Sequence, residues 1–433
     1  MLKIGEQPHI LSDLRNAVEP NVAAVVDRLR AFAAANQPEL RREAPVHIAR
    51  AAEWILDNGP EIADVVAGSG VDLPYSREMI LEGFQNVARR WLDVDGLTDL
   101  VREETRALRA VSPIYPEVVF INLAGNLFVS GWEAIVHAML LGAACVVRCS
   151  ESDRIFPAIW ALALRRANPG RDAGVIVCEW SHKDFERFGA ATSLADAVVC
   201  FGGNDSVQAL RSITPWSTPF AGHGSTLSFS MVSADALRNT PIEWLAEQCA
   251  YDFAVYDQQG CLSPRALFLQ DAHSRDVDRF VDALHSAMVK WEAVLPRRPL
   301  ALEDASAIAR ARDEALLDAA CGGAARRVSI NSDPFLITVK PATHFCLGPV
   351  NRYLDIYLYQ ATADVAAVLA DYRDRISTLA VADHKLAVPA ELAWLRIRRV
   401  CEPGLMQRPP VDWCLDGLRP LEKMLRYQSQ QAG

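Results

Sequence analysis

The chain is predicted to fold as an α/β protein, with two α/β domains built on open twisted sheets and a helical N-terminal shell. Three observations predict this. Residues 1–110 are rich in Ala, Leu, Arg and Glu, with apolar stripes at helical spacing. From Pro113 onward, short β-branched runs alternate with helical stretches, as parallel strands joined by crossover helices do. The length of 433 residues, with 51% hydrophobic, allows more than one sizeable core. The expected divisions are a helical region at 1–110, a first α/β domain at 111–235, a second at 236–400 and a tail at 401–433.

Within the first region, residues 21–34, 45–57 and 79–94 each pair an apolar stripe with a charged face. Residues 118–123 are a continuous apolar run, expected of a parallel strand buried on both faces. It ends in Ala124-Gly-Asn126, ahead of a helix at 130–141 and a strand at 144–148. Ser152 is placed to cap a helix at 155–166. A strand at 174–178, a helix at 182–189 and a strand at 196–201 follow. Gly202-Gly-Asn204 then opens a short helix ending near Arg211.

In such sheets, ligands bind beyond the carboxyl ends of the strands. The loops at 124–126, 148–152 and 202–204 occupy that edge. No G-x-G-x-x-G is present, so a dinucleotide site would rest on these dispersed loops. Residues 219–226 read as a small-residue turn, where Gly222-His-Gly224 lets a backbone or ligand come close to His223.

A helix at 242–256 leads to Tyr256-Asp-Gln-Gln-Gly-Cys261-Leu-Ser-Pro264, and a strand follows at 264–269. A cysteine after glycine on a helix-to-strand turn can expose its sulfur to a cleft, with flanking backbone N–H groups free to hold an oxyanion. Cys261 is therefore the candidate nucleophile, and the other nine cysteines are expected to be small buried hydrophobes. Beyond it come helices at 277–291 and 305–320, strands at 335–339 and 355–360, a tight turn at 346–350 and a turn-rich tail with a last helix near 418–427.

Bulk properties exclude several classes. Net charge is −10 and no Lys/Arg tract stands out, which argues against a nucleic-acid partner. The start, Met-Leu-Lys-Ile-Gly-Glu-Gln-Pro, has no signal-peptide pattern. The most apolar segment, 132–147, is short and interrupted by Glu133 and His137, so no membrane span is expected. Ten cysteines without an export signal or a C-x-x-C pair read as reduced thiols in a cytoplasm. The nine histidines show no ligand spacing, and no metal is implied.

The ordered set of Asn122-Leu-Ala-Gly-Asn126, Val146-Val-Arg148, Phe201-Gly-Gly203, Gly222-His-Gly-Ser225, Asp257-Gln-Gln-Gly-Cys261-x-Ser-Pro264, Leu347-Gly-Pro349, Pro409-Pro-Val-Asp-Trp413 and Asp416-Gly417 resembles the aldehyde dehydrogenase superfamily. Within it the chain is most similar to the LuxC-like acyl-CoA reductases. The resemblance implies a nicotinamide cofactor on the first α/β domain and the catalytic cysteine in the cleft between two domains. It places Cys261 at the nucleophile and Asn126 at the asparagine of the oxyanion hole. It sets Arg148 where a lysine usually contacts the adenosine ribose, and Gly202 and Gly203, followed by Asn204, at the turn beside the nicotinamide and pyrophosphate.

Two departures matter. Ala221 stands where hydrolytic members carry the glutamate that activates water, and Phe345 stands where a second glutamate holds the nicotinamide ribose. An acyl-enzyme on Cys261 would then persist until it accepts hydride or a thiol. The expectation is an NAD(P)H-dependent reduction of acyl-CoA, or of a carrier-bound thioester, to an aldehyde. His223 is the candidate for proton transfer. Arg148 suits the 2′-phosphate of NADPH, while Glu151 could bind the free 2′-hydroxyl of NADH. An irreversible aldehyde dehydrogenase and an acyl-carrier subunit without hydride chemistry are the alternatives. An acyl-activating partner enzyme and assembly into a homo-oligomer stay open.

Overall fold

The computed structural model describes residues 21–68, 73–106, 111–125, 127–150, 153–170, 174–271, 273–323, 327–328, 333–383 and 386–429. These fall into two compact units. The first contains the residues before 73, Gly83–Ser225 and the tail from Pro410; the second contains Leu73–Glu82 and Thr226–Pro409. The division between α/β parts thus falls at Ser225, ahead of the expected 235. The tail belongs to the first unit.

In the first unit, α1 (Val22–Ala67) is a single 46-residue helix where two helices were expected. It runs through Pro38, Pro45 and Pro60, although an interior proline costs about 3 kcal/mol or more. Burial offsets this: Val22, Val25, Val26, Leu29 and Ala33 pack on Val118, Phe120, Val146 and Val198. Asn21 caps its start by accepting from the Ala24 N–H. Arg30 donates to Glu117, Asp196 and the Leu194 carbonyl.

Helix α2 (Arg77–Ala88) contains the boundary between the units and continues into a 3₁₀ turn, Arg89–Leu92. α3 (Val94–Glu104) follows. Then come β1 (Val111–Ile114), β2 (Val118–Asn122), α4 (Ser130–Leu140), β3 (Ala144–Cys149), α5 (Phe156–Ala167), β4 (Val175–Glu179), α6 (Phe185–Leu194), β5 (Ala197–Phe201), α7 (Asn204–Ile213) and β6 (Phe220–His223). α6 starts after the expected 182 because the Asp184 carboxylate accepts from the Arg187 N–H and caps the helix there.

β2 to β6 form a parallel sheet in the order β4-β3-β2-β5-β6. The chain order therefore reverses between β2 and β5. The expected turn at 219–226 is instead edge strand β6 over half its length. Its alternation puts Ala221 and His223 on one face and Phe220 and Gly222 on the other. The expected last helix is also corrected. A 3₁₀ turn at Glu422–Met424 leads to the tail strand β14 (Arg426–Ser429), which pairs antiparallel with β1. The Glu104 carboxylate accepts from the Leu421 and Glu422 N–H groups and fixes that turn.

The second unit contains β7 (Leu227–Val232), α8 (Ala234–Asn239), α9 (Ile242–Ala254), β8 (Pro264–Gln270), α10 (Ser274–Val294), α11 (Leu302–Ala320), β9 (Arg327–Val328), β10 (Leu336–Pro341), β11 (Tyr353–Tyr359), α12 (Thr362–Val368), β12 (Ile376–Ala382) and β13 (Arg399–Cys401). Its sheet runs β13-β12-β7-β8-β11-β10-β9, with only the β9–β10 pair antiparallel. One face packs on α9 and α10 through Leu245, Phe253, Phe280 and Leu284. The other carries Phe229, Phe268, Phe345 and Tyr357. No helix among the described residues is long and apolar enough to cross a membrane.

Asp252 on α9 accepts from the Gly404 N–H at 2.6 Å and the Met406 N–H at 3.2 Å. Burial pushes its carboxyl up to about 7, against the opposing pull of those two bonds. An unfolded aspartate titrates near 3.9. Between these values the folded chain holds a proton that the unfolded chain has released. The stability this group contributes is complete below about pH 4 and is lost as pH rises through about 7. Asp252→Asn should therefore flatten the decline in urea midpoint between pH 5 and 8. An unchanged slope would contradict the assignment.

Candidate active site

The turn bearing Cys261 begins where α9 stops. Tyr256, Asp257 and Gln258 have φ of 59°, 50° and 62°, three consecutive non-glycine residues in the left-handed region. Such backbone costs about 1–2 kcal/mol per residue, so the surroundings must impose it. Arg352, fully buried, supplies the brace. Its Nε donates to Asp257 Oδ1 at 2.6 Å, its Nη1 to Glu292, and its Nη2 to the Leu295 carbonyl at 2.5 Å. Asn351 and Arg352 are themselves left-handed, at 65° and 66°.

The two bent segments are stitched together. The Asn351 N–H donates to the Asp257 carbonyl at 2.9 Å and Gln259 Nε2 to Asn351 Oδ1 at 3.0 Å. Gln258 Nε2 donates to the Pro264 and Tyr353 carbonyls. Burial raises the Asp257 carboxyl above its ordinary range, with Arg352 opposing the rise.

Cys261 leaves this turn half-buried. Ser228 Oγ donates to its carbonyl at 2.7 Å, and the Ser263 N–H closes back on the Gly260 carbonyl at 3.0 Å. Six other cysteines are buried. Burial pushes Cys145, Cys149 and Cys401 up to about 12 and Cys200 to about 11, so they stay protonated thiols. Cys321, Cys346 and Cys414 are exposed, correcting the expectation that every cysteine but Cys261 is buried.

The remaining candidates lie in the first unit, except Asn126 and Glu151, which fall outside the described residues. The reversal of strand order between β2 and β5 opens a crevice at Gly125 on one side and Gly202-Gly203 on the other. Gly203 has an ordinary φ of −63°, and nothing lies within 4 Å of where its Cβ would be. It is the N-cap of α7 and, as a glycine, makes no side-chain cap bond there. An open glycine surface at a helix N-terminus fits a phosphate-bearing cofactor.

Asn204 Oδ1 accepts from the Ser225 N–H at 2.9 Å, and a Cβ at Gly224 would collide with that oxygen. Arg148 is buried, and its Nε and Nη2 donate to the Trp180 carbonyl at 3.2 and 2.9 Å. Its guanidinium ties the ends of β3 and β4, a job the sequence did not signal.

His223 is 7% exposed, stacks on Phe201 with centroids 4.6 Å apart, and meets Asp416 Oδ2 through Nδ1 at 2.9 Å. Ala221, two residues earlier on the same face, is buried. In the second unit, Phe345 is packed edge-on against Phe229 and Tyr372. The position expected for a ribose-binding glutamate is thus an aromatic core position.

The model of the acyl-CoA reductase (LuxC) family matches residues 92–427. The chain belongs to the LuxC acyl-CoA reductase family. It is 27% identical over 324 residues to long-chain acyl-protein thioester reductase 2 of Photobacterium leiognathi, covering 71% of this chain and 63% of that protein. It is 23% identical over 322 residues to the long-chain acyl-protein thioester reductase of Aliivibrio fischeri, covering 73% and 64%. The chain therefore spans somewhat under two thirds of these relatives.

Among solved structures, betaine aldehyde dehydrogenase of Staphylococcus aureus matches at a TM-score of 0.68 and 11% identity, over 95% of this chain and 87% of that one. The indole-3-acetaldehyde dehydrogenase of P. syringae, solved with NAD+, matches at 0.68 and 16%, over 94% and 87%. At these identities the likeness shows that this LuxC-family chain has the aldehyde dehydrogenase fold.

The brace around the LuxC-family cysteine was not legible as such. Asp257 sits inside the recognised motif, but Arg352 and Glu292 carry no local signal. Replacing Arg352 with Met would leave the Asp257 and Glu292 carboxyls without their shared partner. Removing one partner of a buried pair costs about 3–5 kcal/mol. Equilibrium urea unfolding should show Arg352→Met destabilised by about that much, and a loss under about 1 kcal/mol would mean that the brace is not needed.

Proposed function

We propose that this chain is an acyl-thioester reductase, converting acyl-CoA or a carrier-bound acyl thioester to an aldehyde and a free thiol with NADPH, or NADH, as reductant. The observation that carries this reading is Cys261: a half-exposed thiol on a braced turn, in a chain whose other thiols are mostly buried and held protonated. Family membership and the names of the relatives support the same chemistry.

Cys261 attacks the thioester carbonyl. The new C–S bond forms as the thiol loses its proton, and the bond to the leaving sulfur breaks as that sulfur gains one. The Asn126 amide and the Cys261 N–H hold the oxyanion at each tetrahedral stage. His223 carries the proton. A reduced nicotinamide, when bound, would supply hydride to the acyl carbon; the bond from that carbon to the Cys261 sulfur then breaks, the aldehyde leaves and the sulfur regains its proton. Gly202, Gly203 and the α7 N-terminus would hold its phosphates, with Asn204 keeping the neighbouring Ser225 turn in place and Glu151 beside the adenosine ribose. The resemblance favours NADPH, although the Arg148 guanidinium is already bonded to Trp180. Relative kcat/KM for the two cofactors decides the preference.

In the resemblance, Ala221 stands at the place of the glutamate that activates water in hydrolytic members, and its side chain cannot act as that base. The acyl-enzyme therefore waits for hydride or for a thiol. The setting is a reducing cytoplasm, with an acyl-activating enzyme as the source of thioester.

The test is an acyl-CoA panel followed at the NADPH absorbance, with the product trapped as a hydrazone. Turnover and covalent labelling by radioactive acyl-CoA should both vanish in Cys261→Ala. Labelling that survives in this variant would move the nucleophile to another cysteine.

A further inference from the structure

We infer that Ser228, on β7, is the positioning residue that aims the Cys261 thiol and its backbone N–H at an acyl thioester. The inference rests on the acyl-thioester reading above and adds a residue outside the turn itself. Every residue it uses belongs to the second unit.

Both peptide groups that flank the Cys261 α-carbon are held by their carbonyls. The Gly260 carbonyl accepts from the Ser263 N–H at 3.0 Å, closing a four-residue turn. In a trans peptide the N–H points opposite to the C=O, so this bond directs the Cys261 N–H away from the inside of the turn. The Cys261 carbonyl accepts from Ser228 Oγ at 2.7 Å. With both peptide planes fixed, φ and ψ of Cys261 are set, and with them the direction of the bond that carries the sulfur. The donor to the first carbonyl is itself supported. Ser263 Oγ accepts from Gln407 Nε2 at 2.9 Å, and both residues are buried.

The sheet is shaped to let one hydroxyl do this. β7 pairs with β8 at Ser228–Pro264 and next at Ser230–Leu267, so β8 carries one extra residue there. On its other edge β7 pairs with β12 at Leu227–Ile376 and next at Phe229–Leu379, again with one extra residue on the neighbour. Such bulges leave backbone groups out of the ladder and are over-represented next to active sites.

Ser228 fills the gap between the two bulges. Its Oγ accepts from the Thr378 N–H at 3.1 Å while its hydrogen goes to the Cys261 carbonyl. A hydroxyl both donates and accepts, which these two partners require together. Ser228 and Thr378 are fully buried, so bulk water cannot stand in for the hydroxyl. The Arg352 brace holds residues 256–258 ahead of the thiol, and Ser228 holds the peptide that follows it.

The step that depends on this aim is acyl transfer. The Cys261 sulfur bonds to the acyl carbon, the bond from that carbon to the CoA sulfur breaks, and CoA departs with the proton that the thiol gives up. No oxidant or reductant takes part, so the step can be followed without nicotinamide.

The experiment is rapid-quench acylation of the full-length protein by radioactive acyl-CoA over a range of concentrations. Alongside it, alkylation of the Cys261 peptide by iodoacetamide is followed by mass spectrometry. Ser228→Ala should lower the limiting acylation rate about 10- to 100-fold, the scale of a misaimed reacting group. The acyl-CoA concentration at half-maximal rate should change by less than about 2-fold, because the aim matters in the transition state. Alkylation by a small reagent, which needs an accessible thiol but no fixed approach, should also stay within about 2-fold of wild type. Ser228→Thr keeps the hydroxyl and should recover part of the acylation rate. Should Ser228→Ala fail to fold, Ser228→Cys, close in shape but a weak donor, gives the same reading.

Wild-type acylation in a folded Ser228→Ala or Ser228→Cys protein would overturn the inference. So would an equal loss of acylation and alkylation, which would mean that the turn has collapsed over the thiol. Failure of both variants to fold would make the hydroxyl a requirement of the fold and overturn it too. A wild-type protein that is never acylated would instead overturn the thioester reading itself.

Discussion

The buried guanidinium of Arg352 is the constraint on which the turn bearing Cys261 depends. It joins Asp257, Glu292 and the Leu295 carbonyl, drawn respectively from the turn before Cys261, from α10 and from the residue just after α10. Without it, three successive left-handed residues are held only by the Asn351 N–H on the Asp257 carbonyl and by the Gln258 amide. Their strain, about 1–2 kcal/mol each, is comparable to the stability margin of many single domains. A rigid turn matters because a nucleophile must meet its carbonyl within a few tenths of an ångström to benefit from orientation. The mutual support of 256–258 and 351–352 explains why two such bends occur side by side.

The first unit solves a different problem, which is to leave backbone donors open at a sheet edge. Reversal of strand order between β2 and β5 creates the crevice, and Gly203 keeps it clear of side-chain atoms. The glycines around His223 act in the opposite sense. A side chain at Gly222 would strike Val207 and Phe220, and one at Gly224 would strike Asn204. These glycines let β6 and α7 pack closely, whereas Gly203 leaves room for a ligand.

Much of the fold was legible because buried parallel strands read as apolar runs: residues 118–123, 144–148 and 196–201 became β2, β3 and β5 within a residue at each end. Legibility failed where tertiary contacts outweigh local preference. The stripes expected as two helices at 21–34 and 45–57 are parts of one helix, α1, whose buried residues run from Val22 to Ala33 and again from Ala44 to Val66. β6 is four residues long and half glycine or alanine, so it lacked a strand signal, and only pairing with β5 defines it. At the candidate site, the turn that carries Cys261 between α9 and β8 was legible from the helical spacing before it and the apolar run after it. The role of Arg148 was not, because its partner is a backbone carbonyl 32 residues away. Asp416 lay inside a recognised motif, but its meeting with His223, 193 residues away, is a product of the fold.

The central claim is that Cys261 carries an acyl group that this protein passes to hydride or to thiol, but not to water. Ala221, which the resemblance sets at the place of a water-activating glutamate, offers no base, and such a base is worth about 10² to 10⁴ in rate. The direct measurement supplies aldehyde and oxidised cofactor, with and without free CoA, and quantifies acid and acyl-CoA. The account predicts abundant acyl-CoA when CoA is present and little free acid when it is absent. Plentiful acid without CoA would contradict it and make the protein an aldehyde dehydrogenase.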